Sequence, residues 1–224
     1  MVSRIKLVIL DYDLTLVDNI YDFYISFCEA YEEYIGSCIS FETFYEKLVN
    51  DTLTTLIPEE VDHVSFWKSM RSRICRTRYL KLNEGVEHFL RMVNSMGIKT
   101  VIVSGKECHP YYIEMELRML GIDDYIDKVY TFYYLDILNA YEGELFDKSW
   151  LLNHVLKEYS VEPFNVVYIG DYRMDYMSSV KVGIEFIGLA SIGSRRRMFK
   201  DLGVKRIAEN FYDILEYLVD LTNY

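Results

Sequence analysis

Apolar residues along this chain follow two periods. Short β-branched runs read as buried strands, and longer stretches with apolar positions three and four apart read as amphipathic helices. Leu7-Val8-Ile9-Leu10 is the first such run, and acidic residues follow it at once in Asp11, Asp13 and Asp18. From Asn19 to Glu33 the apolar positions Ile20, Phe23, Tyr24, Phe27, Cys28 and Tyr31 recur at helical spacing, with Gly36 as a stop. Ser40 suits the cap of a second helix through Phe41, Phe44, Tyr45 and Leu48. Pro58 suits the first residue of a third helix, with a stripe through Val61, Val64, Trp67, Met70 and Ile74.

After Gly85 the pattern alternates. A helix through Val86, Phe89, Leu90 and Val93 precedes the strand Ile98–Val103, which ends in Ser104-Gly105-Lys106. Pro110 opens another helix to Gly121, and a strand is expected within Tyr125–Tyr134. Asp147 is placed to cap a helix carrying Lys148 in its first turn. Val166-Val167-Tyr168-Ile169 reads as a strand ending in Gly170-Asp171 and followed by Asp175. The strand Ile184–Leu189, a basic loop at Arg195, Arg196 and Arg197, a short strand near Ile207 and a helix over Phe211–Leu221 complete the chain. Strands that alternate with helices predict an α/β fold, a Rossmann-like parallel sheet flanked by helices. The segment 19–83 has no strand pattern and reads as an inserted α-helical cap domain; residues 1–18 and 84–224 then form the catalytic core.

Composition narrows the class. Of 224 residues, 51% are hydrophobic and 26% charged, the balance of a globular protein. A formal net charge of -11 argues against binding nucleic acid or an anionic membrane surface, and no apolar stretch reaches the length of a bilayer span. The four cysteines, at 28, 38, 75 and 108, form no Cys-x-x-Cys pair, so the expectation is reduced thiols in a cytoplasmic protein. Glutamine is absent and tyrosine abundant, which fits a thermophilic source and equally a genome bias. The histidines at 63, 88, 109 and 154 have no metal-ligand spacing.

The candidate chemistry lies at the strand ends. Residues two apart on an extended backbone point the same way, so Asp11 and Asp13 project together beyond the first strand. Like charges this close need a shared proton or a cation, which makes magnesium the natural third party. A hydroxyl, a glycine and a lysine at Ser104, Gly105 and Lys106 suit a phosphate contact. Asp171 and Asp175 reach the same crevice from another strand end.

Asp-x-Asp-x-Thr at Asp11–Thr15, Ser104, Lys148 and Gly-Asp-x-x-x-Asp at Gly170–Asp175 together resemble the four motifs of the haloacid dehalogenase superfamily, over nearly the whole chain. The resemblance implies a Mg2+-dependent phosphatase acting on a small phosphorylated metabolite, phosphoglycolate phosphatase-like, with the cap between the first two motifs. It implies Asp11 as nucleophile forming an aspartyl-phosphate and Asp13 as general acid and base. Ser104, Gly105 and Lys148 would bind the phosphoryl oxygens. The metal would be held by Asp11, Asp13 through its carbonyl, Asp171 and Asp175. Thr15 is expected to make a turn contact. Leu14, Lys106 and Ser149 depart from the residues usual in the family, which leaves the substrate open. A sugar-phosphate mutase or pyrophosphatase of the superfamily, and an inactive binding protein on the same fold, are the alternatives, and the protein is expected as a monomer or homodimer. Arg71, Arg73, Arg76, Arg78 and Lys81 form a basic cluster in the cap that suits a second acidic group on the substrate and suits a solvated helix face better.

Overall fold

The computed structural model describes residues 5–75 and 77–223. β1 (Leu7–Leu10) leads into three helices, α1 (Ile20–Tyr34), α2 (Phe41–Val49) and α3 (His63–Arg73). Then α4 (Val86–Ser95), β2 (Lys99–Ser104), α5 (Tyr111–Leu120), β3 (Lys128–Thr131) and a single turn, α6 (Tyr134–Ile137), follow. The chain continues through α7 (Ser149–Tyr159), β4 (Val166–Gly170), α8 (Arg173–Val182), β5 (Glu185–Leu189), α9 (Arg195–Asp201), β6 (Arg206–Ala208) and α10 (Phe211–Asn223).

The strands form one parallel sheet in the order β3-β2-β1-β4-β5-β6. Because side chains alternate across a strand, β1 serves two cores. Val8 and Leu10 join Phe89, Leu117 and Phe211 from α4, α5 and α10, whereas Leu7 and Ile9 join Leu152, Val155 and Phe199 from α7 and α9. All four residues of β1 are fully buried, which is why the strand reads as unbroken apolar sequence rather than as alternation. The strand order reverses about β1, so the carboxyl ends of β1 and β4 flank the crevice where open parallel sheets bind ligands.

α1, α2 and α3 pack on one another around an aromatic centre of Phe27, Phe44, Phe66 and Trp67. Phe27 lies 5.4 Å from Phe44 and 5.5 Å from Phe66 between ring centroids, in tilted and edge-on contacts that add to plain burial. The two ends of this helical segment meet: Val17 and Leu82 form an antiparallel bridge, and the Asp18 amide donates to the Lys81 carbonyl at 2.8 Å. Buried Asp22 of α1 accepts from the amides of Arg78 and Tyr79, fixing the returning stretch.

Three local expectations change. Helix α3 starts at His63 rather than Pro58, because the Asp62 carboxylate caps the Val64 amide at 3.0 Å while Pro58 closes a turn with Val61. Its buried face consequently carries Phe66, Trp67 and Met70, and Val64 is exposed. The basic stretch at Arg195 is the first turn of α9, not a loop. The expectation of reduced thiols also fails: Cys28 pairs with Cys38, with Cα atoms 5.1 Å apart, and Cys75 with Cys108 at 6.0 Å. Sequence spacing conceals both pairs. The turn after α1 brings Cys38 back beside that helix, and the chain leaving α3 passes the loop that follows β2. The Cys75–Cys108 bridge therefore ties the helical segment to the sheet.

Closing loops of 10 and 33 residues restricts the unfolded chain by about 3 and 4 kcal/mol respectively. Alkylation of the native protein under denaturant is expected to modify none of the four cysteines until a reductant is added. The Cys75→Ser/Cys108→Ser variant should lose about 2–4 kcal/mol in denaturant titration. Four reactive thiols without reductant would disprove the pairing.

Candidate active site

Asp11 follows β1 by one residue, and its amide still bonds the Ile169 carbonyl of β4 at 2.9 Å, so the adjacent strand fixes its backbone. Its carboxylate is 5% exposed. Lys148 Nζ donates to Asp11 Oδ1 at 2.5 Å and to Asp175 Oδ1 at 2.7 Å, and the Thr15 hydroxyl lies 3.0 Å from Asp11 Oδ2 and 3.2 Å from Asp171 Oδ1. Thr15 is thus more than a turn contact, since its side chain spans two carboxylates. Asp147 caps the Ser149 amide at 2.9 Å, which starts α7 one residue later than expected and leaves Lys148 at the helix boundary with its side chain free to enter the site.

Asp175 is fully engaged. It accepts from Lys148, from the Tyr168 hydroxyl at 2.6 Å and from the Tyr172 amide at 3.1 Å. Gly170 is required for this arrangement, because a Cβ there would stand 2.6 Å from Asp175 Oδ2. Asp171 differs: its Oδ2 is buried with no hydrogen-bond donor, and the guanidinium of Arg195 comes only to 3.8 Å. Carboxylate oxygens of Asp11, Asp171 and Asp175 lie within 4.8 Å of one another. An orphaned buried oxygen inside a knot of three carboxylates is what a hard cation with oxygen ligands would satisfy, so the donor set fits Mg2+.

Electrostatics follows from this crowding. Burial, together with the neighbouring Asp175 and Asp171, raises the Asp11 carboxyl well above the usual range despite the opposing Lys148. Burial and Asp175 push Asp171 up to about 6 against the pull of Arg195 and Lys148. Lys148 moves the other way. Burial disfavours its charge, but Asp11 and Asp175 outweigh that and keep it protonated.

Asp13 lines the same cavity but lies outside the carboxylate knot, with hydrogen-bond partners of its own. Asn19 Nδ2 donates to Asp13 Oδ1 at 2.6 Å, Lys106 Nζ stands 3.3 Å away, and Ser104 Oγ is 3.4 Å from Oδ2. Asn19 also accepts the Leu14 amide at 3.1 Å, so a residue typical of helix caps here organises the turn after β1 instead. Leu14 has φ of 60°, the left-handed conformation that a glycine would adopt without strain. Gly105 lines the cavity, and a Cβ there would meet only the Lys148 side chain, at 3.9 Å.

All seven site residues expected from the sequence, Asp11, Asp13, Ser104, Gly105, Lys148, Asp171 and Asp175, meet at the carboxyl ends of β1, β2 and β4. Sequence reasoning missed Asn19 and gave Arg195 too little weight. Arg195 is 2% exposed beside Asp171 and 5.2 Å from the Tyr172 ring, whereas its neighbour Arg196 pairs with Glu209 at the surface. Its signal was present only as one arginine of three. The basic cluster at the end of α3 and just beyond it is neutralised where it is described: Arg71 binds Glu107 and Glu142, Arg73 binds Glu33 and Arg78 binds Glu29. Arg76 lies outside the described residues.

Comparison with known proteins agrees with this geometry. The sequence profile of the haloacid dehalogenase-like hydrolases matches residues 8–189. No curated protein matches the chain in sequence. Among solved structures, a haloacid dehalogenase-like hydrolase from Streptococcus pneumoniae superposes with a TM-score of 0.73 at 17% identity, covering 96% of this chain and 98% of that one. A predicted phosphatase from Clostridium acetobutylicum gives 0.74 at 14% identity, with 96% and 99% covered. A predicted phosphoglycolate phosphatase from Haemophilus somnus gives 0.63 at 15% identity, with 97% and 99% covered. With the profile spanning most of the chain and the fold shared from end to end, this protein belongs to the haloacid dehalogenase-like hydrolase family.

Proposed function

We propose that this hydrolase is a Mg2+-dependent phosphomonoesterase that works through an aspartyl-phosphate on Asp11, with residues 19–83 as a cap over a core formed by 1–18 and 84–224. The observation that carries the reading is the separation of two acids with different surroundings: Asp11 bound to Lys148 within a carboxylate knot, and Asp13 set aside with Asn19, Ser104 and Lys106. Environments that differ this way assign different tasks to two carboxylates.

In the first step an Asp11 oxygen attacks phosphorus, the bond to the leaving oxygen breaks, and Asp13 gives that oxygen a proton. In the second, Asp13 takes a proton from water as it attacks phosphorus, and the Asp11 carboxylate departs. One difficult displacement is thereby split into two easier ones. Ser104, the Gly105 backbone and Lys148 would hold the transferring oxygens, Lys148 giving up part of its contact with Asp11 as the phosphoryl group arrives. Mg2+, held by Asp11, the Asp13 carbonyl and Asp171, with Asp175 direct or through water, would supply positive charge against the repulsion between a phosphate dianion and the acidic knot.

Asn19 and Arg195 act on this chemistry through others. Asn19 fixes the orientation of Asp13, and Arg195 offsets charge at Asp171. No helix among the described residues is long and apolar enough to cross a membrane. We propose small phosphorylated metabolites as its substrates; the cytoplasmic expectation rested on reduced thiols, and the two disulfides remove that ground.

Asp11→Asn is expected to lower Mg2+-dependent release of phosphate from an aryl phosphate by at least ~1,000-fold while retaining cooperative unfolding. Full activity in that variant would sink the mechanism.

Asp171 supplies a pH test. Its folded value of about 6 exceeds the ~3.9 of an unfolded aspartate, so the folded chain binds this proton more tightly. In chelator, stability from this group is highest below about pH 4 and falls as pH rises through 6, on the order of 3 kcal/mol in all. Thermal midpoints should show that slope flattened in Asp171→Asn, and Mg2+ should raise the wild-type midpoint at pH 7 but not that of the variant. Identical midpoint shifts with Mg2+ in both proteins would remove Asp171 from the metal site.

A further inference from the structure

The cavity that opens onto the acidic knot has a volume of about 300 Å3, the small end of ligand sites. A phosphoryl group and one ring or short branched chain would fill it. Asp11, Asp13 and Lys148 line it, and much of the remaining wall is apolar, with Phe23, Leu48, Leu53, Trp67 and Met70 from the helical segment and Phe146 against Trp67. Leu14 adds to that wall from a left-handed backbone position where a glycine would be unstrained. An apolar side chain is kept there at a conformational cost.

The cations in the lining decide what else the cavity accepts. Arg71 is committed to Glu107 and Glu142 and Lys106 to Asp13 and Glu116, Arg195 faces Asp171, and half-exposed Arg173 pairs with Asp51 at 3.4 Å at the surface. Lys148 belongs to the reaction centre. Every lining cation among the described residues therefore already faces a carboxylate, and a carboxylate or second phosphate on the leaving group would lose its water against apolar side chains with no cation in return.

We infer that the substrate of this site, granted the phosphomonoesterase reading, is the phosphate ester of an uncharged, largely apolar alcohol of about the size of a single ring or a short branched chain. A two-carbon acid such as glycolate leaves the roof unfilled and buries a charge. The leaving group is selected by apolar contact and by the absence of a free cation.

The test compares kcat/KM, with Mg2+, for methyl phosphate, 3-methylbutyl phosphate, glycerol phosphate and phosphoglycolate. The branched alkoxide is the poorer leaving group, so a preference for it reports binding rather than intrinsic reactivity. It should exceed phosphoglycolate and glycerol phosphate by at least ~10-fold. Leu53→Ala should narrow the ratio of 3-methylbutyl to methyl phosphate by at least ~5-fold, a ratio in which the fraction of folded enzyme cancels. Thr54→Arg, which places a new cation at the exposed rim, should shift preference towards phosphoglycolate. Phosphoglycolate or glycerol phosphate turned over as well as the branched ester overturns the inference and leaves the phosphatase reading intact. Release from none of the four overturns the reading and the inference with it.

Discussion

Three buried carboxylates beside one lysine set the constraint on which the rest of this molecule depends. Asp11, Asp171 and Asp175 cannot share so small a volume as anions without compensation, and Lys148 is the cation that reaches two of them. The fold delivers that lysine from the start of α7, a segment 137 residues away from Asp11 in sequence. A parallel sheet makes this possible because every strand ends on the same edge, so residues far apart in the chain arrive together. Arg195 adds a second, weaker compensation at 3.8 Å, and the Asp171 oxygen that it faces still has no donor. With all three carboxylates ionised these five groups carry one net negative charge, and it is that ionised state which a divalent ion would favour.

Backbone conformation is spent to keep this geometry. Gly170 lets Asp175 lie against the end of β4, Leu14 turns through positive φ, and Asn83 donates to the carbonyls of Leu14 and Thr15 at 3.1 and 2.7 Å to hold the same turn. Asn83 stands at the return of the helical segment, and Asn19 at its departure, so the two ends of that segment brace the turn that follows Asp11. The site and the attachment of the helices are one construction. A shift in the helical segment would be felt at Asp13 through Asn19.

Much of this was legible in sequence because the determining signals are local. Leu7–Leu10 announces a doubly buried strand, Ser40 a helix cap that the Thr43 amide uses, and the acids at 11, 13, 171 and 175 stand where strands stop. What escaped is what depends on approach in space. Nothing in the spacing of Cys28 and Cys38, or of Cys75 and Cys108, states that these pairs touch. Arg195 and Arg196 are adjacent and chemically identical, yet helical rotation buries one beside Asp171 and leaves the other in a surface ion pair. Asn19 looks like a cap and is not used as one. Such side chains are assigned by tertiary contact, which overrides the local preference.

The basic cluster at the end of α3 shows why charge in a sequence is a poor guide to charge in a site. Read along the chain, Arg71, Arg73 and Arg78 suggest a region ready for an anionic substrate. In the fold, Arg71 is the one that enters the cavity, and two carboxylates meet it there while its guanidinium also lies 5.1 Å from the Phe132 ring and 5.2 Å from the Phe146 ring. A buried arginine with two acids and two aromatic faces is a fastener. It joins the helical segment to the loop after β2, through Glu107, and to the stretch before α7, through Glu142, next to the point where the Cys75–Cys108 bridge does the same covalently. The arginine that stands out in sequence as a contact for an anion is used instead to hold the helical segment to the sheet.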